Sequence, residues 1–260
     1  MIYGYKSSYN VLSQAFGKEL FTEVGIGLRI DDVNDISLSR SVKRASLGDI
    51  QRGNVNEENF NAYINGTLRL SETWSIGGAL RFDYFSFRYQ NSLTNTKRLT
   101  NKAIVSPKFN INYQLNPKTQ LYLKTGIGFH SNDTRVVTEQ RGKEILPRAY
   151  GLDLGLNTKL SDKALMQAAV WILDLDQEFV YVGDEGIVEP SGKTRRAGID
   201  LSLRYEVFPW LFLDGDINLT RPKAKSEPEG LDYIPLAPTL TTIGGLSFEM
   251  KNGFNGTLRY

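Results

Sequence analysis

The sequence predicts an all-β protein built as an antiparallel transmembrane β-barrel, and three observations carry that prediction. Apolar and polar residues alternate with period two along most of the chain. The connections between alternating segments switch regularly from short to long and back. Aromatic residues gather beside the short connections. Successive side chains of a strand point to opposite faces, so this alternation gives each segment one apolar and one wet face. A membrane barrel shows hydrocarbon every second side chain, with short turns at one end, long loops at the other, and aromatic girdles.

Bulk properties are compatible with that fold. A chain of 260 residues can make one large β domain or two ordinary ones. The 31 Lys+Arg nearly cancel the 29 Asp+Glu, so no global field points to nucleic acid or an acidic partner. Cysteine is absent, which excludes a disulfide scaffold, Cys-based zinc sites and thiol chemistry without fixing the compartment. No apolar run approaches the roughly 20 residues of a membrane helix. The N-terminal MIYGYKSSYN lacks the basic start, apolar centre and small-residue cleavage site of a secretory signal, so the chain is either cytosolic or starts further upstream.

Residues 18–30 form the first alternating segment, with Leu20, Val24, Ile26, Leu28 and Ile30 opposite Glu23 and Arg29. A polar stretch without period, 31–57, reads as a loop. Phe60, Ala62, Ile64 and Leu68 then oppose Asn61, Tyr63, Asn65 and Arg69. After the short connection 71–74, Ile76, Leu80, Phe82 and Tyr84 oppose Arg81 and Asp83. The loop 90–102 leads to Phe109, Ile111, Tyr113 and Leu115, set against Lys108, Asn110, Asn112 and Gln114. Asn116-Pro117-Lys118 is a turn, because proline presets one dihedral and removes a ladder donor. Leu121, Leu123, Ile127 and Phe129 face away from Tyr122, Lys124 and His130.

Beyond the loop 131–147, Leu152, Leu154 and Leu156 oppose Asp153 and Asn157. After the turn 161–163, Leu165, Ala169, Trp171, Leu173 and Leu175 alternate with Ala168, Val170, Ile172, Asp174 and Asp176. A connection near 183–196 precedes Ile199, Leu201, Leu203 and Tyr205, which oppose Asp200, Ser202, Arg204 and Glu206. Phe208-Pro209-Trp210 turns into Leu211, Leu213, Ile217 and Leu219, opposite Asp214, Asp216 and Asn218. The Pro- and charge-rich loop 221–235, a strand through Leu246 and Phe248, the turn 251–253 and a last strand to Tyr260 finish the chain.

Several segments hold their pattern for about ten residues, near the 9–11 that cross a bilayer. Soluble strands typically run about five or six. Trp74, Tyr113, Phe208 and Trp210 sit together by the short turns, like one interfacial girdle. A soluble sandwich, barrel or propeller also alternates and stays the competing fold. About eleven strands can be counted, whereas single-chain bacterial barrels close with an even number. The expectation is one partial barrel domain over 1–260, truncated at both ends.

Five stretches carry a resemblance to a known family: RGNVNEENFNAYINGTLRL (52–70), GALRFDYF (78–85), SPKFNINYQLNPKTQLYLKTGIGFHSND (106–133), LPRAYGLDLGLNTKL (146–160) and WILDLDQEFVYVGDEGIVEPSGKTRRAGIDLSLRYE (171–206). In this order and spacing the chain resembles the C-terminal barrel half of TonB-dependent outer-membrane receptors. The resemblance implies a 22-stranded barrel in the bacterial outer membrane, an N-terminal plug and energy supplied through the TonB complex. The cargo it implies is a ferric siderophore, cobalamin or another scarce nutrient. Plug and TonB box are absent from these 260 residues, so this segment supplies wall and extracellular loops only. Lipopolysaccharide and outer-membrane lipid are the expected surroundings. A passive porin or structural barrel is the alternative.

No enzyme chemistry and no cofactor are expected. His130 is the only histidine, so a Ser-His-Asp set would need it as base, and no serine is singled out. Asp174, Asp176 and Glu178 lack the ligand order and central glycine of a calcium loop, so no metal is assigned. Arg81, Asp83, Lys108, Lys124, Asp153, Asp174, Asp176, Asp200, Arg204, Asp214 and Asp216 are expected on the lumen wall. His130, Asn132, Asp133, Arg135, Arg195 and Arg196 are the candidate ligand contacts, since arginine suits planar anions. The Gly25/Gly27 and Gly126/Gly128 pairs lack a third glycine and a helix, which rejects a nucleotide fingerprint. They are expected where another backbone, such as a plug, packs close.

Overall fold

A computed structural model describes residues 1–131, 134–139, 145–182, 187–225, 227–234 and 236–260. Twelve strands follow one another in a single sheet, each antiparallel to its chain neighbours. They are β1 (Ile2–Ala15), β2 (Lys18–Val42), β3 (Ala45–Arg69), β4 (Trp74–Asn91), β5 (Thr96–Asn116) and β6 (Thr119–Phe129). After a one-turn helix, α1 (Thr134–Glu139), come β7 (Arg148–Ser161), β8 (Ala164–Val182), β9 (Ile187–Phe208), β10 (Leu211–Ala224), β11 (Leu240–Glu249) and β12 (Asn255–Arg259). The sheet is open, with β1 and β12 at its edges.

Register joins the alternating segments into two continuous faces. Val24 pairs with Ile64, Ile64 with Leu80, and Leu80 with Pro107. Further on, Leu154 pairs with Val170, Val170 with Ile199, and Ile199 with Leu219. These apolar side chains are exposed, Leu154 at 53% and Ile199 at 44%, so the sheet turns a greasy band outward instead of hiding it in a core. On β10 the band runs from Leu211 to Leu219. Nine residues of tilted strand give a height of about 20 Å, close to the roughly 25 Å hydrocarbon band of an outer-membrane barrel. At the short-turn end Trp74 stacks on Tyr113, centroids 4.4 Å apart, and Phe208 on Trp210, 5.6 Å apart.

The structure differs from the sequence reading in two respects. β1 was not counted, because its outward residues are Tyr3, Tyr5, Ser7 and Tyr9, with no aliphatic run. Its strand character comes from pairing to β2, Tyr5 opposite Leu28 and Tyr9 opposite Val24. Three expected long loops are mostly strand. The stretch 31–57 continues β2 and β3 into a ribbon that turns at Lys43 and Arg44, both with positive φ (48° and 69°). Likewise β4 and β5 run to Asn91 and from Thr96, and β9 begins at Ile187. Above the band both faces meet water, so the ladder persists while the alternation fades.

From about residue 36 to 52 the ribbon has only two strands, a unit that is marginal by itself. Side-chain ties reinforce it. Arg52 grips Asp35 through Nε (2.6 Å) and Nη2 (3.0 Å), and Ser39 Oγ donates to Asp49 at 2.6 Å. Asp35 has φ 57°, a conformation aspartate tolerates, and its N–H donates to Asn54 Oδ1 at 2.9 Å.

On the polar face, aromatic rings lie over glycines of the neighbouring strand. Tyr63 is paired with Gly25, Tyr122 with Gly155 and Trp171 with Gly198. A methyl at Gly155 would sit 2.4 Å from the Tyr122 hydroxyl, and one at Gly198 would sit 2.5 Å from the Trp171 ring and 2.6 Å from the Leu219 carbonyl. The room left by Gly25 and Gly27 is filled by Tyr63 and Asn61 of β3.

Two outcomes follow from this packing. Gly198→Ala should destabilise the barrel by about 1–3 kcal/mol, the usual cost of overpacking. Gly128→Ala, with nothing within 4 Å, should be neutral. The temperature at which heat-modifiable migration is lost measures both. The second outcome concerns pH. The Arg52 hydrogen bond and charge hold the Asp35 carboxyl below the ordinary carboxylate range. A depressed value means that the pair stabilises the ribbon fully above the ordinary range, and the stabilisation disappears as pH falls through the lowered one. In infrared difference spectra against Asp35→Asn, the Asp35 carboxylate should protonate below the ordinary range, and Arg52→Gln should move that titration upward.

Candidate functional site

The polar face of β1–β4 carries a cleft of about 570 Å³, within the range of small-ligand sites. Its floor is built on β4, which turns Arg81, Asp83 and Phe85 to this side. Arg81 forks onto Asp83, Nε to Oδ2 at 2.7 Å and Nη2 to Oδ1 at 2.8 Å. Asp83 is fully buried, and Asn59 Nδ2 also donates to it at 3.3 Å. Asn61 Nδ2 in turn donates to Asn59 Oδ1 at 3.0 Å. Residues of the adjacent strands β3 and β4 are thus held by one hydrogen-bonded chain. The rim carries Lys6 from β1 and Arg29 from β2, with Arg29 held to Asp31 at 3.0 Å.

Residues 129–131, 134–139 and 145–147 form the other wall of this region. Val137, on α1, and Leu146 are buried against Phe85, Phe87 and Ile104, with Phe129 and Ile145 partly buried beside them. Thr134 Oγ1 donates to Glu57 Oε2 at 2.9 Å, pinning the segment to β3. Phe129, expected with Leu123 on the apolar face, instead meets Phe85 edge-on at 5.6 Å. The segment folds here because β4 offers apolar rings on its polar-facing parity above Asp83, a pad that excludes water once Val137 and Leu146 cover it.

A second polar network crosses β8–β12. Trp171 Nε1 donates to Asp200 Oδ1 at 2.9 Å, and Asn218 also donates to Asp200. Arg204 forks onto Asp216 at 3.1 and 3.0 Å, and Arg259 reaches Asp214 at 2.6 Å. Between the two networks, Lys124 lies over the Tyr122 ring, 4.4 Å from its centroid.

Registers put Arg81, Asp83, Lys108, Lys124, Asp153, Asp200, Arg204, Asp214 and Asp216 on this one face. Asp174 and Asp176 are corrections. Asp174 follows Val170 and Ile172 on the outward parity, and the Tyr150 hydroxyl, paired on that side, donates to Asp176 at 3.2 Å. On β8 the bulky inward set is Ala169, Trp171 and Leu173. Both acids clear the hydrocarbon because they lie just above the band, where an outward charge costs little. Arg195 and Arg196 are split by the sheet. Arg195 faces out, forked onto Asp174 at 2.7 Å through both Nε and Nη2, while Arg196 faces in and bonds Glu178.

His130 is exposed at the end of β6, its N–H donating to the Pro147 carbonyl at 3.1 Å. Arg135 is half-buried on α1. Asn132 and Asp133 lie outside the described residues, as does the tip 183–186. Lys6, Arg29, Asn59 and Thr134 line or close the cleft without having been singled out. Arg29 was legible as a polar-face residue, but its convergence with Asn59 depends on register. Among the described residues no group of three His, Asp or Glu could hold a metal.

A family model for the TonB dependent receptor-like β-barrel matches residues 2–260. Among solved structures, the chain is similar to the unliganded ferric citrate transporter FecA, with TM-score 0.77 and 15% identity over 96% of this chain and 40% of that one. It is also similar to the ferric-catecholate import receptor Fiu of E. coli K12, with TM-score 0.73, 15% identity, and 96% and 42% covered. A third is the copper transporter OprC, with TM-score 0.69, 16% identity, and 96% and 41% covered. The chain thus spans about two fifths of the length of these structures. A comparison with curated proteins finds no significant match.

The buried carboxylate makes the cleft floor testable. Arg81→Ala strands Asp83 with one weak donor and should cost about 1–3 kcal/mol, the penalty for an unsatisfied buried group. Adding Asp83→Asn in the same protein should recover part of the loss. Thermal shifts of the folded, heat-modifiable form provide the measurement.

Proposed function

The chain belongs to the TonB dependent receptor-like β-barrel family, and on that premise we propose that it forms barrel wall and cell-surface loops of a receptor importing a scarce nutrient. The family is one of outer-membrane transport receptors. The cargo we assign first is a ferric siderophore, with cobalamin or another chelate next, and the energy comes through TonB. The plug and the TonB contact belong to segments outside these 260 residues, and further strands close the sheet into a full barrel around a lumen lined by the polar face.

The observation that carries this reading is the cleft of β1–β4 beside α1 and residues 145–147. It offers cations, Lys6 and Arg29, beside aromatic walls, Phe85 and Phe129. That mixture suits a ferric chelate, whose aromatic or apolar arms stack while its anionic oxygens meet charge-assisted donors. Lys6 has no acid partner among the described residues, so its charge is available to an incoming anion.

Cells expressing the full-length protein as sole receptor should take up a labelled ferric siderophore, and uptake should stop when TonB is removed. Lys6→Ala with Arg29→Ala should lower affinity about tenfold or more, the loss of one or two charge-assisted bonds. Uptake that persists without TonB would identify a passive channel instead.

A further inference from the structure

Charge on the lining of the β1–β4 cleft adds up to zero. The three cations Lys6, Arg29 and Arg81 share it with the three carboxylates Asp31, Glu57 and Asp83. Register sets these groups in rows across the polar face. Asp31 stands opposite Glu57, Arg29 opposite Asn59, and Gly27 opposite Asn61, which in turn faces Asp83. Lys6 faces Gly27 across the β1–β2 ladder. Two of the cations are already engaged. Arg81 forks onto Asp83, and Arg29 holds Asp31 through Nε and Nη2, both at 3.0 Å. Lys6 is the cation left over, and in the sum over the lining it is balanced by Glu57.

Hydrogen bonding at the floor also has a direction. Asn61 Nδ2 donates to Asn59 Oδ1 and Asn59 Nδ2 donates to Asp83, so the buried carboxylate turns both amides the same way. Asn61 Oδ1 accepts no hydrogen bond among the described residues. The amide lies over Gly27, where a Cβ would meet both of its ends at 2.8 Å. Donor and acceptor thus occupy one row, Lys6 and Asn61, separated by a residue without a side chain.

Resting on the import reading above, we propose that this cleft selects a ferric chelate of zero net charge built from hydroxamate and amide groups, and rejects a trianionic tris-catecholate. Three hydroxamates neutralise ferric iron, while three catecholates overshoot it to a trianion. The neutral chelate brings iron-bound oxygens with partial negative charge for Lys6, N–H groups for Asn61 Oδ1, and methylene arms for Phe85 and Phe129. A trianion would shed the hydration of its charges in a cleft whose own charges cancel, so no net attraction offsets that cost. Asp31 and Glu57, side by side in one row, would repel it as well.

The test uses the full-length protein, plug included, in detergent, with two probes of similar size: a neutral cyclic ferric trihydroxamate and a trianionic ferric tris-catecholate. Quenching of tryptophan fluorescence gives both dissociation constants. The neutral chelate should bind about tenfold or more tightly than the trianion. Asp31→Asn with Glu57→Gln removes two of the three carboxylates and should strengthen binding of the trianion about tenfold, narrowing the preference. Asp31→Asn alone leaves the Thr134 contact to Glu57 in place and should move the ratio in the same direction. Heat-modifiable migration shows that each variant is folded. Equal or tighter binding of the trianion by the wild type overturns the charge selection and leaves the import reading standing. A ratio that neither variant shifts does the same. Failure of the wild type to bind either chelate overturns both together.

Discussion

The structure depends on one requirement: inside hydrocarbon every backbone N–H and C=O must be paired within the protein, at several kcal/mol per group left over. A strand answers it only through its neighbours, so the ladder must run unbroken from β2 to β11 across the band. Once the ladder is in place, the pleat divides the side chains between two solvents. Valine, isoleucine and leucine then belong on an exposed surface, which would be an aggregation hazard in water and is the stable arrangement in lipid. The usual buried core is correspondingly small, and the largest apolar cluster lies on the polar face, at Phe85, Phe87 and Leu146.

The two faces also use charge differently. Most acids and bases of the wall meet water as well as each other, so pairs such as Arg204 with Asp216 contribute about 0–1 kcal/mol each. Their value is geometric, since forked arginines hold side chains in one place along the wall. Asp83 is different. Buried beneath its neighbours, it cannot fall back on water, and Arg81, Asn59 and Asn61 are ordered by its need for donors. On the outward side, charge at mid-band would cost about 2–4 kcal/mol for a lysine or arginine. The first ionic row, Asp174 with Arg195, therefore marks where hydrocarbon stops.

Period two was enough to read the band, its girdle and the short turns, because lipid on one side and water on the other force the pattern residue by residue. It failed wherever that contrast is missing. β1 carries tyrosine and serine outward, and the ribbon 31–57 stands above the band with water on both sides, so neither advertises itself. At Asp174 and Asp176 the apolar residues of both parities on β8 left the phase ambiguous, and the acids were assigned to the wrong face. Trp171 resolves the phase. Its ring needs Gly198 opposite and its N–H needs Asp200, two requirements met only on the polar side. The cleft was half legible: Arg81 and Asp83 could be placed, while Lys6, Arg29 and Thr134 join them only through register and the infolded segment.

The infolded segment is held to the wall by different contacts from those that join the strands of the band. Within the band each strand is held by two neighbours and by ring-on-glycine contacts such as Tyr122 on Gly155, which leave no slack for a side chain to shift. Residues 134–139 and 145–147 are held differently: Thr134 donates to Glu57, Arg98 reaches the Thr138 carbonyl at 3.5 Å, and a few apolar side chains pack on Phe85 and Phe87. Burying Val137 and Leu146 is worth about 1.5–3 kcal/mol each, so these two side chains and the rings beneath them anchor the described part of the segment to the wall.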